Sequence, residues 1–314
     1  MSTETFSPLS LGKGPGVRPY TKEEIAQWFR GLQDRICASL EEADGAAQFV
    51  EDPWERPGGG GGRTRIIQDG RVLAKGGVAF SAVYGATPRN ILQALQLDEA
   101  DFYATGVSIV LHPHSPMMPI IHMNVRYFEM TNGTWWFGGG IDLTPHYVDE
   151  ADARHFHQTL KAVCDRHQAG FHPRFKAWAD DYFYIKHRQE TRGIGGIFFD
   201  RLGEGEALPK EQLFAFVQDV GEAFAPIYTH FMRKNADLPY GEAEKQWQMV
   251  RRGRYVEFNL VYDKGTKFGL DTDGRTESIL MSMPPVAEWH YNLQPAPGTP
   301  EARTLAYLRK GIQW

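Results

Sequence analysis

Three strand-like segments joined by two short loops constrain this chain most strongly. Between Ala104 and Asp142 the segments GVSIVLH, PIIHMNVRYF and TWWFGGGID alternate in polarity, and only PHSPMMP and MTNG separate them. Alternation with a period of two is typical of β-strands. Loops this short favour antiparallel pairing of the strands that they join. The sequence therefore predicts an antiparallel sheet in the middle of the chain.

Helical patterns lie on both sides of these strands. The letters TKEE at residues 21–24 form a capping box, and apolar residues then recur at helical spacing to about residue 44. Further helices are predicted to start at Asp149 and Pro173 and to cover residues 208–234 and 242–252. The order of strands and helices is not a regular βαβ alternation, so the predicted fold class is α+β with an antiparallel sheet.

Two later segments are predicted to be strands. The first is RGIGGIFFD at residues 192–200, which is rich in glycine. The second, residues 253–285, alternates in polarity and contains the turn-forming pairs Lys264-Gly265 and Asp273-Gly274. We expect residues 253–285 to form a β-meander, which would add strands to the sheet.

Five consecutive glycines, Gly58 to Gly62, raise the question of a phosphate-binding loop. The pattern matches neither the P-loop nor the dinucleotide-binding fingerprint, both of which require glycines at set distances around a strand and a helix. The run is therefore interpreted as a flexible loop. Closure of this loop over a ligand is a further expectation.

Length and charge exclude several functional classes. The chain has 314 residues and a net charge of −5, which disfavours binding to nucleic acid or to an anionic membrane. No apolar stretch is long enough for a membrane span, and the N-terminus lacks a secretory signal. We expect a flexible leader over residues 1–20 and a single domain over 21–314. Two cysteines cannot build a disulfide framework, which favours the cytoplasm.

Polar side chains are predicted to line one face of three strands. Side chains two residues apart point to the same side of a strand, and the sets that share a face are Ser108, Val110 and His112; His122, Asn124 and Arg126; and Glu257, Asn259 and Asp263. Solvent-facing residues of a half-buried sheet are one interpretation. Because Ser, His, Asn and Arg suit carboxylate binding and proton transfer, a ligand-binding face is the favoured one.

Four of the eleven histidines could converge, namely His112, His122, His157 and His187. Imidazole is a common metal ligand, so a four-histidine metal site is one hypothesis. No metal-binding signature such as H-E-x-x-H accompanies them. Acid/base or hydrogen-bonding roles are therefore favoured over a metal site.

Several long motifs resemble the oxygen-dependent coproporphyrinogen III oxidases. These motifs include FVEDPWERPGGGGGRTR, GVSIVLHPHSP, HMNVRYFE, WWFGGGIDLTP, HRQETRGIGGIFFD, RRGRYVEFNLVYDKGTKFGL and GRTESILMSMPP, and the resemblance extends from about Glu24 to Trp314. It implies a large, flat antiparallel sheet with helices on both faces. It also implies conversion of two propionates of coproporphyrinogen III to vinyl groups in haem biosynthesis. Molecular oxygen would be the oxidant, and protoporphyrinogen IX, carbon dioxide and hydrogen peroxide the products.

The resemblance also implies roles for individual residues. His122 would be the proton donor, and Asp142 and Asp263 would lie near the pyrrole nitrogens. The four histidines would bind a divalent metal, no organic cofactor would be needed, and residues 247–276 would contribute to a homodimer. The substrate-binding positions would be Ser108, Asn124, Val125, Arg126, Asp273, Gly274 and Arg275.

Two rival functions stay open from the sequence. One is a metal-dependent oxygenase that acts on another carboxylated substrate, which stoichiometric iron in active protein would favour. The other is a tetrapyrrole carrier without catalysis, in which a proton-donating His122 and the acids Asp142 and Asp263 would be superfluous.

Overall fold

The centre of the computed structural model is an antiparallel sheet, as the sequence predicts. The structure describes residues 20–87, 92, 100–271 and 274–314, so the predicted leader lies outside it except for Tyr20. The strands are β1 (Val50–Glu55), β2 (Gly60–Gln68), β3 (Leu73–Ala86), β4 (Asp101–Pro113), β5 (Ile120–Met130), β6 (Trp135–Thr144), β7 (Tyr184–Ile185), β8 (Glu190–Thr191) and β9 (Gly196–Gly203). Seven of them form one sheet in the order β1-β2-β3-β4-β5-β6-β9, and β7 pairs with β8.

Helices account for most of the remaining described residues, which confirms the α+β class. They are α1 (Lys22–Asp44), α2 (Glu150–Asp165), α3 (Phe171–Tyr182), α4 (Lys210–Asn235), α5 (Glu242–Val261), α6 (Lys264–Asp271), α7 (Thr276–Leu280) and α8 (Pro300–Tyr307). The predicted capping box is present at α1, where the Glu24 amide donates to Thr21 Oγ1 at 3.3 Å and the Thr21 amide donates to Glu24 Oε2 at 2.9 Å. Asp149 caps α2, also as predicted.

The two faces of the large sheet have different surroundings. One face, called the core face here, carries fully buried apolar side chains such as Val107, Ile109, Met123 and Ile141. These belong to one hydrophobic cluster with residues of α1, α2 and α4. The opposite face, called the open face here, is partly covered by α5, whose Tyr255 packs with Val110 and Ile120.

The predicted meander over residues 253–285 is wrong. Residues up to Val261 continue α5, and two short helices, α6 and α7, follow. Gly253 does not break the helix; a Cβ there would lie 2.6 Å from the Glu288 carbonyl oxygen, so glycine permits close packing of the chain against α5. Glu257, Asn259 and Asp263 therefore do not share a strand face. The short apolar alternation in this segment also fits the 3.6-residue period of a buried helix.

The loop interpretation of the five glycines is wrong for Gly60 to Gly62, which begin β2 and pair with β3. Gly58 and Gly59 lie in the turn between β1 and β2. Glycine is required in the strand because a Cβ at Gly62 would lie 2.3 Å from the Trp54 ring. The run therefore builds a tightly packed hairpin.

Membrane-spanning helices and reactive cysteines are both absent from the described residues. Within the described ranges, no helix is both long and apolar enough to cross a lipid bilayer. Cys37 and Cys164 are both free and buried, and burial raises the pKa of each thiol to about 12. Neither cysteine has the thiolate character of a reactive nucleophile.

Candidate functional site

The register of β4, β5 and β6 brings the predicted polar residues together on the open face. Ser108 lies opposite Asn124, and His122 lies opposite Asp142. Ser108, His122 and Asn124 are half-buried, as is Arg126 two residues further along β5. The alternation in the sequence therefore predicted their shared face correctly, although their roles stay predictions.

The open face around Asn124 and Arg126 carries very small side chains on the neighbouring strands. Gly106, Gly138 and Gly140 occupy open-face positions on β4 and β6, with Ala79 and Ser81 on β3. A Cβ at Gly106 would lie 2.4 Å from the Val125 carbonyl oxygen, so a larger residue would clash with the backbone. We call the area formed by Ala79, Ser81, Gly106, Ser108, Gly138 and Gly140 the bare floor. A large, flat ligand could lie against it.

His122 is oriented by a buried ion pair. Its Nδ1 lies 2.8 Å from Asp142 Oδ1. Arg192 donates from Nη2 to both Asp142 oxygens, at 2.7 and 2.8 Å. The side chain of Asp142 is 1% exposed and that of Arg192 is 2% exposed, against 21% for His122. The imidazole thus reaches the open face from a buried, charged anchor.

The charge of Asp142 is fixed by its partners. Burial alone would raise the pKa of Asp142, but the Arg192 guanidinium and the hydrogen bond with His122 outweigh burial and lower it. Because an ionised carboxylate only accepts hydrogen bonds, His122 carries a proton on Nδ1 and presents Nε2 to the open face. In the described part of the chain, Nε2 has no hydrogen-bond partner that would occupy it.

Arg192 is in turn enclosed by helix α5 and by aromatic rings. Its Nη1 donates to Asn259 Oδ1 on α5 at 2.7 Å. The guanidinium carbon lies 4.5 to 4.7 Å from the ring centres of Phe183, Tyr255 and Phe258. Cation–π attraction and the hydrogen bonds offset the cost of burying this charge.

Arg126 provides a positive charge at the exposed end of the site. It donates from Nη1 to Asn124 Oδ1 at 2.8 Å and from Nη2 to Asp200 Oδ1 at 2.9 Å. The side chains of Arg126 and Asp200 are each 36% exposed. Val125, another predicted substrate-binding residue, points to the core face and is fully buried. Its side chain therefore cannot contact a ligand on the open face.

Arg275 lies at the opposite side of the bare floor. It contacts Asp52 of β1 and donates to Ser278 at 3.4 Å, and Ser278 bonds Thr64 of β2 at 2.9 Å. β2 and β5 are three strand spacings apart, a distance of about 14 Å. Arg275 and Arg126 therefore approach the floor from opposite sides. Gly274 lies at the end of α6, where its amide donates to the Gly269 carbonyl at 2.8 Å; Asp273 lies outside the described residues.

Asp263 has different hydrogen-bond partners from Asp142. One of its oxygens accepts from Tyr182 Oη at 2.9 Å, and the other caps α6 by accepting from the Thr266 amide at 2.7 Å. The Tyr182 ring stacks on Phe198, with centroids 4.0 Å apart. Because Phe198 lies opposite Gly140, Asp263 belongs to a side wall of the bare floor.

The structure gives each of the four predicted metal ligands its own partner. His112 and His157 bond the carbonyl oxygens of Ser282 and Ile194 at 2.8 and 3.0 Å, and burial lowers the pKa of both to about 3. His187 bonds Tyr262 and Glu257. Over the described ranges, no three His, Cys, Asp or Glu side chains are placed to hold one metal ion. The four histidines do not fit a shared metal centre.

Sequence reasoning missed two residues that define the site, Arg192 and Asp200. Arg192 is the first residue of the glycine-rich segment 192–200, and no periodic pattern assigns it to Asp142. Asp200 shares the open face with Phe198 by alternation along β9. That alternation was the available signal, but the partner strand of β9 could not be read from the sequence.

Comparison with known families identifies the family of this chain. A family model described as coproporphyrinogen III oxidase matches residues 24–314. The chain therefore belongs to the coproporphyrinogen III oxidase family, whose members are oxidoreductases that decarboxylate their substrate in haem biosynthesis.

Proposed function

We propose that this member of the coproporphyrinogen III oxidase family uses molecular oxygen to convert two propionates of coproporphyrinogen III to vinyl groups. The product would be protoporphyrinogen IX. In each round the propionate carboxylate loses carbon dioxide, one proton and two electrons. Oxygen accepts the two electrons with that proton and a second proton from solvent to form hydrogen peroxide. One observation carries the proposal: the small residues of the bare floor on β3 and β4 lie between Arg126 and Arg275 and beside an anchored histidine.

Substrate binding follows from charge and shape. The carboxylates of coproporphyrinogen III need cationic partners, and guanidinium groups can bind carboxylates with two parallel hydrogen bonds. Arg126 and Arg275 supply such groups at two sides of the floor. The ring itself would lie against the glycines and small residues, with the Phe198–Tyr182 stack as a wall.

His122 is the proposed acid/base residue. A histidine positioned at a reacting group typically contributes a factor of about 10² to 10⁴ to the rate. Asp142 keeps the Nδ1 proton in place, so protons are exchanged through Nε2. Both oxygens of Asp142 are bonded to Arg192. We therefore assign Asp142 to orienting His122. Asp263 keeps its predicted place near the pyrrole N–H groups, since among the described residues each of its oxygens accepts only one hydrogen bond, from Tyr182 or from Thr266.

No step of this proposal passes through a metal or an organic cofactor. The porphyrinogen ring is itself rich in electrons and readily oxidised, so it can pass two electrons to oxygen. The ring returns to its original oxidation level when the propionate loses carbon dioxide and a proton. Apolar and aromatic side chains around the floor, such as Phe198 and Phe183, would limit access of water to the reacting ring.

Two further parts of the proposal concern assembly and location. Large apolar side chains are exposed on and after the segment linked with dimerisation, among them Leu260, Val261, Phe268 and Leu270, each more than 40% exposed. Exposed apolar surface of this kind marks an interaction site, which supports a homodimer. The free, buried cysteines favour a reducing compartment such as the cytoplasm.

The test of the reaction uses chelator-treated protein and coproporphyrinogen III. Turnover is followed in air and without oxygen by the fluorescence of the oxidised products. Protoporphyrin formed only in air, with activity that survives the chelator, is the expected result. Analytical ultracentrifugation of the same sample tests the homodimer.

The other outcomes decide between the rivals. Turnover without oxygen would contradict oxygen dependence. Activity that is lost to the chelator and restored by one ion would favour a metal-dependent oxygenase. Binding of coproporphyrinogen III without turnover under any condition would favour a tetrapyrrole carrier.

A further inference from the structure

Strand β9 is irregular beside the exposed end of the site. It places two residues, Asp200 and Arg201, opposite the single residue Gly138 of β6. Arg201 has a φ angle of 49°, a left-handed conformation that is uncommon outside glycine. Two residues facing one across an antiparallel pair form a β-bulge, and bulges near functional sites redirect side chains. Here the bulge controls where Asp200 points.

The redirected carboxylate contacts Arg126. The two atoms that meet are Asp200 Oδ1 and Arg126 Nη2, at 2.9 Å. A Cβ at Gly138 would lie 2.7 Å from Arg126 Nε and 2.7 Å from Asp200 Oδ1. The ion pair therefore lies across the backbone of β6, and only glycine leaves room for it.

We propose that Asp200 is an exchangeable carboxylate that occupies Arg126 in the free protein and gives way to a carboxylate of the substrate. This inference rests on the proposed function, in which Arg126 binds a propionate. Both bidentate edges of a guanidinium include Nη2, the atom that Asp200 contacts. Nη2 carries one N–H on each edge, so a propionate bound through two hydrogen bonds lies next to the Asp200 carboxylate. The repulsion between these two negative charges makes the propionate and Asp200 compete for Arg126.

Because Arg126 and Asp200 are both exposed to water, separating them costs little free energy. Both side chains are 36% exposed, and an ion pair in contact with water contributes little net stability. Asn124 continues to hold the other end of the guanidinium through Nη1, so Arg126 stays in place while its carboxylate partner changes. After turnover, Asp200 returns to Arg126 and favours release of the product carboxylate.

Asp200→Asn tests this exchange because asparagine keeps an oxygen for Arg126 but removes the competing charge. The KM for coproporphyrinogen III should fall about twofold to fivefold at low salt. The dissociation constant for coproporphyrin III, the oxidised ring with the same carboxylates, should fall by a similar factor. Both effects should shrink as added salt screens the charge.

Asp181→Asn is the matched control. Asp181 is 71% exposed and pairs with Lys310, so this variant has the same change in net charge without touching Arg126. It should leave KM unchanged. Circular dichroism of both variants verifies that the overall secondary structure persists.

A KM that rises or stays constant in Asp200→Asn would overturn the exchange and make Asp200 a positioning residue for Arg126. The dissociation constant separates this result from failure of the proposed reaction. Wild-type protein that never turns over coproporphyrinogen III contradicts the reaction, whereas tighter binding of coproporphyrin III by the variant would still support the exchange.

Discussion

The two ends of the open-face site hold the same kind of ion pair in opposite surroundings. Asp142 and Arg192 are at most 2% exposed, whereas Asp200 and Arg126 are each 36% exposed. Removing one partner of a buried pair leaves an uncompensated charge, so such a pair is fixed. A pair in contact with water can change partners at little cost. The buried end is therefore suited to orienting a catalytic group, and the exposed end to binding and releasing a charged ligand.

The largest expected effect is on catalysis at the buried end. His122→Ala should lower kcat by about 10² to 10⁴, because the proposed proton donor is lost. The dissociation constant for coproporphyrin III should change little, since Arg126 and Arg275 remain. Stopped-flow turnover and fluorescence titration measure the two quantities. His155→Ala, which removes an exposed imidazole on α2, is the control; a near-normal kcat for His122→Ala would move the proton-donor role to another residue.

The buried pair should also dominate stability. Asp142→Asn leaves Arg192 without its carboxylate and should lower the free energy of unfolding by about 3–5 kcal/mol. Asp200→Asn, at the exposed end, should lower it by less than about 1 kcal/mol. Urea denaturation of both variants measures the contrast. Equal losses would mean that burial does not distinguish the two ends.

The strands of this site could be predicted from sequence, whereas the partners of Asp142 could not. Alternation along β4 and β5 places Ser108, His122 and Asn124 on one face, because the direction of a side chain on a strand depends only on its position in that strand. Arg192 meets Asp142 because the segment before β9 runs beside the end of β6, where the Ile194 amide donates to the Leu143 carbonyl. Asn259 of α5 then holds the guanidinium, so the pair depends on contacts between distant segments. Local patterns carry no information about such contacts.

The error over residues 253–261 has a related cause. Val256, Phe258 and Leu260 satisfy a short alternation, whereas Tyr255 and Phe258 satisfy a helical spacing. Gly253 favours a break when it is considered alone. The helix continues because the glycine packs against the backbone of Glu288. Tertiary contact thus overrides a local preference. The predicted strand face of Glu257, Asn259 and Asp263 followed from the same error.

The exposed end should show a smaller effect, confined to binding. Arg126→Ala removes the charged hydrogen bonds to a propionate, worth about 1.5–3 kcal/mol, and should raise KM about 10- to 100-fold. Steady-state kinetics measures this change. Arg174→Ala is the control. Arg174 lies on α3, and its exposed guanidinium pairs with Glu206. Unchanged KM and kcat for Arg126→Ala would contradict the assignment of Arg126 to the substrate.

Glu257 lies on the same helix as Asn259 but outside the buried end, and its effect on stability should be smaller than that of Asp142. Burial alone would raise the pKa of Glu257, but Arg188, His187 and Arg254 outweigh burial and lower it from 4.5 to about 2. A carboxyl group whose folded-state pKa is lowered stabilises the protein above its unfolded-state pKa. That contribution is lost as the pH falls from about 4.5 towards 2.

Glu257→Gln should therefore lower the free energy of unfolding by about 1–2 kcal/mol at pH 6, since its partners Arg188 and His187 are partly exposed and screened by solvent. The difference from the wild-type protein should narrow as the pH falls from 6 to 3. Urea denaturation across this range measures it. A difference that stays constant with pH would mean that packing, and not the charge of Glu257, stabilises this part of α5, because packing does not titrate.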